Sequence, residues 1–517
     1  MKNKLTQNKL TTGASWLIIA NVSSRLIGIA YVIPWTILFG VASINANSLF
    51  GKGYTIYQFF LALSTVGLPS AVTQMANSLS RNEKSSFLIS SVHFSMIQGL
   101  CTSAVLWISS PLLSNGDNNL IPVLHSLAIS VIIFPFLSVI RGYFQSRLEM
   151  DIVAKSEIIE QVIRVLYMLI STYIILNVLK KGWVLAVVHS TFAAAIGALA
   201  ATIYLLFKLL IIFNLKDIKS SYKSYHPFNM LVIIKKSIPF VFIGSFLTVY
   251  QWIDQYTFFY FMKIFHVGYS SHSLNVLFGV FNFNVNKLIL IIVALAVSIA
   301  STILPLITAN ITDITLVRIK VKQAIILFWS VVLPAALGLY AVSGPIYTAF
   351  YGNYINTNIT IPMTQISAIT SIFMGGATVL AMIMQSLLKT KLILYYFTLG
   401  FVVKLILQPI LINALGAIGP MYASLGSLVL VNYMLLRYLN HRMSISDILG
   451  DKYVGIITMT SFGMFIIVVV LNSTLAGFFD NTARFTQMMV LISDVGVGMA
   501  FIFFFYYKLG VLKHLFK

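Results

Sequence analysis

Apolar run follows apolar run along this chain. Most are about twenty residues long, the length at which an α-helix crosses the hydrocarbon core of a bilayer. The runs are continuous and do not alternate, which selects helices over a transmembrane barrel; in lipid only those two structures satisfy their own backbone. With 59% hydrophobic and 9% charged residues, the chain stands far from a soluble domain, where about a quarter of residues are charged. The mean hydropathy of +0.92 agrees. The expected fold class is therefore an all-α polytopic membrane protein. Fourteen spans are read, near 14–39, 54–79, 86–113, 120–146, 153–177, 183–213, 229–262, 281–309, 320–345, 360–388, 391–413, 416–438, 453–475 and 485–508. The first follows a basic start, MKNKLTQNKL, but is too long for a signal sequence, contains Arg25 and lacks a small-residue cleavage site. It is read as a retained helix.

The cations test this count. On a soluble protein the net charge of +21 would suggest nucleic acid as a partner. In a membrane protein, Lys and Arg collect in the cytoplasmic loops. With the N-terminus inside, only Lys52, Lys180, Lys181, Lys263 and Arg484 fall in outer loops. Arg25, Arg141, Arg164, Lys287 and Lys404 fall within spans, and every other one of the 34 Lys and Arg lies on the inner side. The expected localisation is a cell membrane, with both termini cytoplasmic and no nucleic-acid partner. One cysteine, Cys101, excludes an intrachain disulfide, and the eight His show no metal spacing.

The chain carries an internal echo. Gln145-Ser146 returns 240 residues later as Gln385-Ser386, Leu148 as Leu388, Val162 as Val402, and Arg164 as Lys404. A cation thus recurs at the same place in spans five and eleven. The repeat unit is six spans, so the halves share one orientation. Residues 1–213 form the expected N-terminal lobe, 214–228 a lysine-rich linker, 229–440 the second lobe, and 441–517 two additional helices. Leu68-Pro69 and Leu304-Pro305 make a weaker echo.

Charge inside a span needs a reason, since an ionised group at mid-bilayer costs roughly 2.5–3.5 kcal/mol on insertion scales. Arg25, Arg164 and Lys404 fall near mid-span, Arg141 near an inner end, and Lys287 beside Asn282, Asn284 and Asn286. That asparagine cluster either lines a wet cavity or caps a helix. Acidic partners are fewer. Glu160 precedes Arg164 by one turn, a spacing that permits an ion pair. Asp254 and Asp494 have no local partner; each either serves a coupling ion or pairs with a cation on another helix, the reading preferred for Asp494. The interior balance stays positive, which suits an anionic cargo such as a phosphate or pyrophosphate. In span two, Gln58, Ser64, Thr65, Gln74 and Asn77 point to a wet or protein-facing surface. Trp35, Tyr54 and Tyr57 read as an outer aromatic belt. Phosphate-binding loops, zinc spacings and nucleophile elbows are absent, so no cofactor and no enzymatic step is expected.

SSRLIG (Ser23 to Gly28), GKGYTIYQFF followed by STVGLP, RGYFQS with SEIIEQVIRV, and YQWIDQYTFF in span seven resemble the MurJ-type and polysaccharide-export flippases. These form a branch of the multidrug/oligosaccharidyl-lipid/polysaccharide exporter superfamily, and the resemblance is to members from low-GC Gram-positive bacteria. It implies two six-helix lobes around a cationic chamber, a final helix pair that holds the lipid tail, and a cargo of undecaprenyl-pyrophosphate-linked sugar, lipid II in the MurJ case. The family's first-helix Arg falls on Arg25. Its eighth-helix Arg falls close to Lys287, with Asn286 at the ungapped position. Tyr31 stands where a second first-helix Arg is usual, and Asn47 near where an Asp is usual. The expected head-group ligands are Arg25, Arg164, Lys287, Lys404, Arg141 and Asn286, with Asp254, Glu160 and Asp494 as coupling or pairing acids. Expected partners are the lipid-linked sugar, membrane lipid and cell-wall synthesis proteins. Alternative readings are a multidrug or cation antiporter of the same architecture, which would favour an acidic interior, and a wall-polysaccharide polymerase or glycosyltransferase, for which the outer loops offer only Asp117 and Asp480.

Overall fold

The computed structural model describes residues 23–24, 27–65, 68–69, 72–73, 81–147, 149–212, 241–309, 313–445, 451–478 and 483–515. Arg25, the linker expected at 214–228, and Asp480 lie outside the described residues. Among those described there is helix and turn but no strand. In chain order the helices are α1 (Val32–Phe39), α2 (Ser43–Thr65), α3 (Arg81–Leu113), α4 (Leu120–Ser146), α5 (Met150–Tyr173), α6 (Trp183–Ile212), α7 (Phe246–Phe265), α8 (Ser271–Gly279), α9 (Asn286–Ala309) and α10 (Ile314–Ala341). They continue as α11 (Ser343–Tyr351), α12 (Thr357–Ser386), α13 (Thr390–Leu415), α14 (Gly419–Met443), α15 (Lys452–Phe478), α16 (Arg484–Lys508) and α17 (Val511–Leu515). A π-helical segment, Val280–Val285, joins α8 to α9, and another, Ile174–Val178, extends α5.

Eleven helical segments among the described residues are long and apolar enough to cross a membrane. Two of these bend at a glycine. Ile27–Thr65 turns a corner at Gly40, and Thr390–Met443 turns one at Gly416. Both glycines have positive φ, 54° and 61°, a conformation that costs a side-chain-bearing residue energy. With those corners, and with α7, the architecture is compatible with fourteen spans. The second span starts earlier than its hydropathy suggests, at Ser43.

The helices tolerate residues that would break them in water. Pro111, Pro135, Pro334, Pro362 and Pro409 all lie inside helices, as bilayer-spanning helices allow when neighbours satisfy the freed groups. Hydroxyls return their protons to the preceding turn, as Thr36 does to the Val32 carbonyl at 3.0 Å and Thr364 to Thr360 at 2.8 Å. Exposed helix starts are capped: Asp313 accepts from the Thr315 and Leu316 amides at the head of α10, and Asn356 accepts from Asn358 at α12.

The chain divides into two compact units, Met1–Trp252 and Ile253–Lys517, with the boundary inside α7. In the first, α4 packs on α2, α3 and α6, and α5 lies along α6. In the second, α12 packs on α9, α10 and α14, and α13 pairs with α14. The C-terminal pair α15 and α16 packs on α10 and α11. Its outer faces carry Phe462, Ile466, Val470, Phe503 and Phe504 exposed, the ordinary surface of a helix bathed in lipid.

Candidate functional site

In the first unit the cation of the sequence echo, Arg164, stands on α5. Ser156, Glu160 and Arg164 recur every fourth residue on α5, so they line one face. Gly197 of α6 sits on that face: a Cβ there would come within 2.6 Å of the Glu160 carbonyl oxygen and 3.0 Å of the Arg164 Cβ. The missing side chain lets α6 lie against α5 at the level of the arginine. Arg141 reaches over from α4, its Nε donating to Ser156 Oγ at 3.0 Å and its terminal nitrogen to Glu160 Oε2 at 2.9 Å. Glu160 is thereby engaged across helices, and the pair expected along α5 with Arg164 is not the one formed. The reason is reach: Arg141 brings two donors to Glu160 and Ser156 together.

Arg164 is half-buried and makes no ion pair or hydrogen bond among the described residues. Its electrostatic neighbours are Tyr54, Tyr57, Glu160 and Tyr31. The Tyr57 hydroxyl is buried with no hydrogen bond among the described residues, Ser130 being a polar neighbour outside hydrogen-bond geometry, and the Tyr54 and Tyr57 rings lie 5.3 Å apart. A guanidinium and a phenol, both with unused donors, are the equipment of an anion site. Trp35 and Tyr57 are not belt residues: both are fully buried, and Trp35 donates its indole N–H to Asn47 Oδ1 at 2.8 Å. Neither tyrosine was legible as part of the site; their three-residue spacing on α2, which puts both on one face toward α5, was the available signal.

The second unit treats the matching cation differently. Lys404 of α13 is fully buried, and its Nζ donates to Asp254 Oδ2 of α7 at 2.8 Å. Gln408, one turn on, donates to the other carboxylate oxygen at 3.0 Å. In this conformation Lys404 presents no surface to a ligand, and Asp254 is a pairing acid. Asn284 sits in the π-helical segment before α9, donating to the Tyr347 hydroxyl at 2.7 Å while its carbonyl accepts from Tyr351 at 2.8 Å. Asn284 therefore does not cap a helix; it ties the π-helical turn to α11. Asn286 and Lys287 open α9, both half-buried, with the Lys287 ammonium 5.6 Å from the Phe283 ring centroid, within cation–π range. Asp494 is fully buried, and both its oxygens lack a hydrogen-bond partner. The expected ion pair to another helix is not formed among the described residues, because the apolar face it occupies brings no cation to it.

No group of three or more His, Cys, Asp or Glu side chains among the described residues converges on a metal site.

Residues 10–311 match the family model described as "Polysaccharide biosynthesis protein". The chain is 28% identical over 536 residues to "Lipid II flippase MurJ" of Bacillus subtilis (strain 168), covering 98% of this chain and 96% of that one. Among solved structures it is similar to "Lipid II flippase MurJ, inward closed conformation", with a TM-score of 0.66 and 16% identity over 95% of this chain and 98% of that one. It is also similar to a MOP superfamily transporter from Pyrococcus furiosus, with a TM-score of 0.60 and 12% identity over 85% of this chain and 96% of that one. With more than half its length matched by the family model and the fold of the solved MurJ structure along 95% of it, this multi-pass membrane chain belongs to the polysaccharide biosynthesis protein family.

Proposed function

We propose that the chain is a flippase. It moves an undecaprenyl-pyrophosphate-linked sugar, lipid II or a related polysaccharide precursor, from the inner to the outer leaflet by alternating access. The observation that carries this reading is Arg164: a half-buried guanidinium in a span, with no ion pair among the described residues, beside a Tyr57 hydroxyl that makes no hydrogen bond among them. An unpaired charge there is costly, and a phosphate oxygen is the ligand that would offset the cost. Guanidinium donors match phosphate oxygens in pairs. Arg141 and Glu160 hold the α4–α5 face in place. Arg25, which lies outside the described residues, and Asn286 and Lys287 of the second unit are carried as head-group ligands on the family resemblance alone. The full-length similarity to a protein named as a lipid II flippase supports that cargo. An antiporter for cationic drugs would call for free acids, and two of the three acids singled out within spans, Glu160 and Asp254, are bound to cations.

The cargo leaves as it entered, so the chain is a transporter and not an enzyme. With both termini cytoplasmic in a Gram-positive cell membrane, a negative-inside potential favours outward movement of the anionic head group by about 2.3 kcal/mol per charge per 100 mV. Two measurements test the reading. Depletion of the protein should cause lysis with precursor accumulating on the inner leaflet; loss of capsule or exopolysaccharide alone would reassign the cargo. In reconstituted vesicles, Arg164→Ala should lower flipping at least tenfold while the protein inserts and folds. Full activity in that variant removes the basis of the proposal.

A further inference from the structure

Asp494 lies near the middle of α16, an apolar span. The buried face of that helix runs through Gln487, Val490, Asp494 and Gly498, a three-and-four spacing that makes one stripe. The stripe meets α15: a Cβ on Gly498 would come within 3.2 Å of Val468 and 3.3 Å of the Met464 sulfur. Asn472, one turn beyond Val468, is the polar neighbour of the carboxyl, outside hydrogen-bond geometry. No part of Asp494 is exposed, and neither oxygen is hydrogen-bonded among the described residues.

Charged groups on the surrounding elements lie elsewhere. On α16 itself Arg484 and Lys508 stand at the two ends. Lys452 and Tyr453 begin α15, and His514 of α17 stacks on Tyr453 at 4.0 Å; Lys513 is its neighbour in sequence. The cations of α10, Arg318, Lys320 and Lys322, occupy its first three turns. The Tyr506 hydroxyl bonds to the Ser330 carbonyl farther along α10, so those turns lie toward the C-terminal end of α16; Tyr340, at the other end of α10, rests its ring on Phe465. On α11 the hydroxyls of Tyr347 and Tyr351 are engaged with Asn284.

An ionised carboxylate without partner or water is among the costliest groups a protein can bury, and such a group neutralises instead. A metal ion is a poor neutraliser here, since Asp494 belongs to no group of three or more His, Cys, Asp or Glu among the described residues and one amide cannot replace a hydration shell. We propose that Asp494 is a proton-binding site of the α15–α16 hairpin, held as the neutral acid in this conformation and ionised when the two helices part. The step balances as a carboxylic acid giving its proton to water as water enters, and taking one back on closure. Each opening of the hairpin then releases one proton, and any transport step that needs the opening becomes pH-dependent.

Infrared spectroscopy of the full-length protein in vesicles of phosphatidylethanolamine and phosphatidylglycerol tests the site without any cargo. The spectrum at neutral pH should contain a protonated-carboxyl C=O stretch that Asp494→Asn removes and Asp494→Glu shifts. Should Asp494→Asn fail to fold, a pH titration of the wild-type band carries the test alone: the band should persist above the pH at which exposed carboxyls ionise. Identical spectra for wild type and Asp494→Asn, no band at neutral pH, or a band that responds to sodium and not to pH would each overturn the proposal. The transport reading based on Arg164 would stand in any of those cases, because the spectroscopic result does not depend on flipping.

Discussion

A tryptophan near the end of a span has two homes, the headgroup belt and a protein interface, and residue type alone does not choose between them. Trp35 takes the second, with none of its surface exposed and its N–H on Asn47 Oδ1. Its ring also lies 4.6 Å from that of Phe39 and 5.6 Å from that of Phe50. Asn47 is itself buried. Asn47→Ala should therefore leave an indole donor unsatisfied, at a cost of about 1–3 kcal/mol. Asn47→Asp keeps an acceptor and should lose less of the melting temperature in detergent; equal losses would mean the hydrogen bond contributes nothing. The same limit governed the charges. The cost of burying them made Arg164, Lys404, Asp254 and Asp494 legible as residues that need an explanation. Partner choice was not legible, because it depends on which helix faces meet. Glu160 sits one turn from Arg164 in sequence and yet bonds to Arg141 on another helix.

Helix boundaries follow satisfied ends more closely than hydropathy. Helix α2 begins at Ser43, although Asn45, Asn47, Ser48 and Lys52 make its opening read as a loop; Lys52 is neutralised there by Asp117 at 3.0 Å. Most spans, by contrast, were plain from their apolar runs, since backbone satisfaction in lipid leaves a long run no other fold. The head of α15 shows how an end is fixed. Asp451 accepts from the Tyr453 amide at 2.9 Å, and its other oxygen accepts from Lys322 of α10 at 2.9 Å. Burial pushes the carboxyl up, but the bonds from the Lys322 ammonium and the Tyr453 amide outweigh it and hold Asp451 below the usual carboxylate range. A carboxyl depressed in the folded state stabilises it above the unfolded value, about pH 4, and that contribution is lost as the pH falls through the folded value. Asp451→Asn should speed amide exchange in the first turn of α15 at neutral pH, and the difference from wild type should fade below about pH 4. A difference that persists in acid would assign the effect to packing instead of charge.

At the scale of the whole chain, the sequence carries an echo that reads as a duplication, but what each matched position does with its cation was not legible. Arg164 and Lys404 occupy matched places in the repeat. In the first unit the nearby acid is drawn away by Arg141, and the guanidinium keeps its donors. In the second, Asp254 and Gln408 close around the ammonium, which is wholly buried. The two positions thus differ: Arg164 makes no ion pair among the described residues, and on the proposed function it meets the head group, while Lys404 fastens α13 to α7. Each should fail in its own way when removed. Lys404→Met strands a buried carboxylate and should destabilise the protein by about 3–5 kcal/mol. The double change Lys404→Met with Asp254→Asn removes both charges and should recover most of that loss, since a buried pair and a neutral replacement of similar volume are often close in energy. Thermal melting in detergent, set beside flipping in vesicles, reads both variants. If the double variant melts as low as Lys404→Met, the pair is not what holds α13 to α7; if it melts like the wild type and still flips cargo, Lys404 fastens the second unit and takes no part in binding the head group.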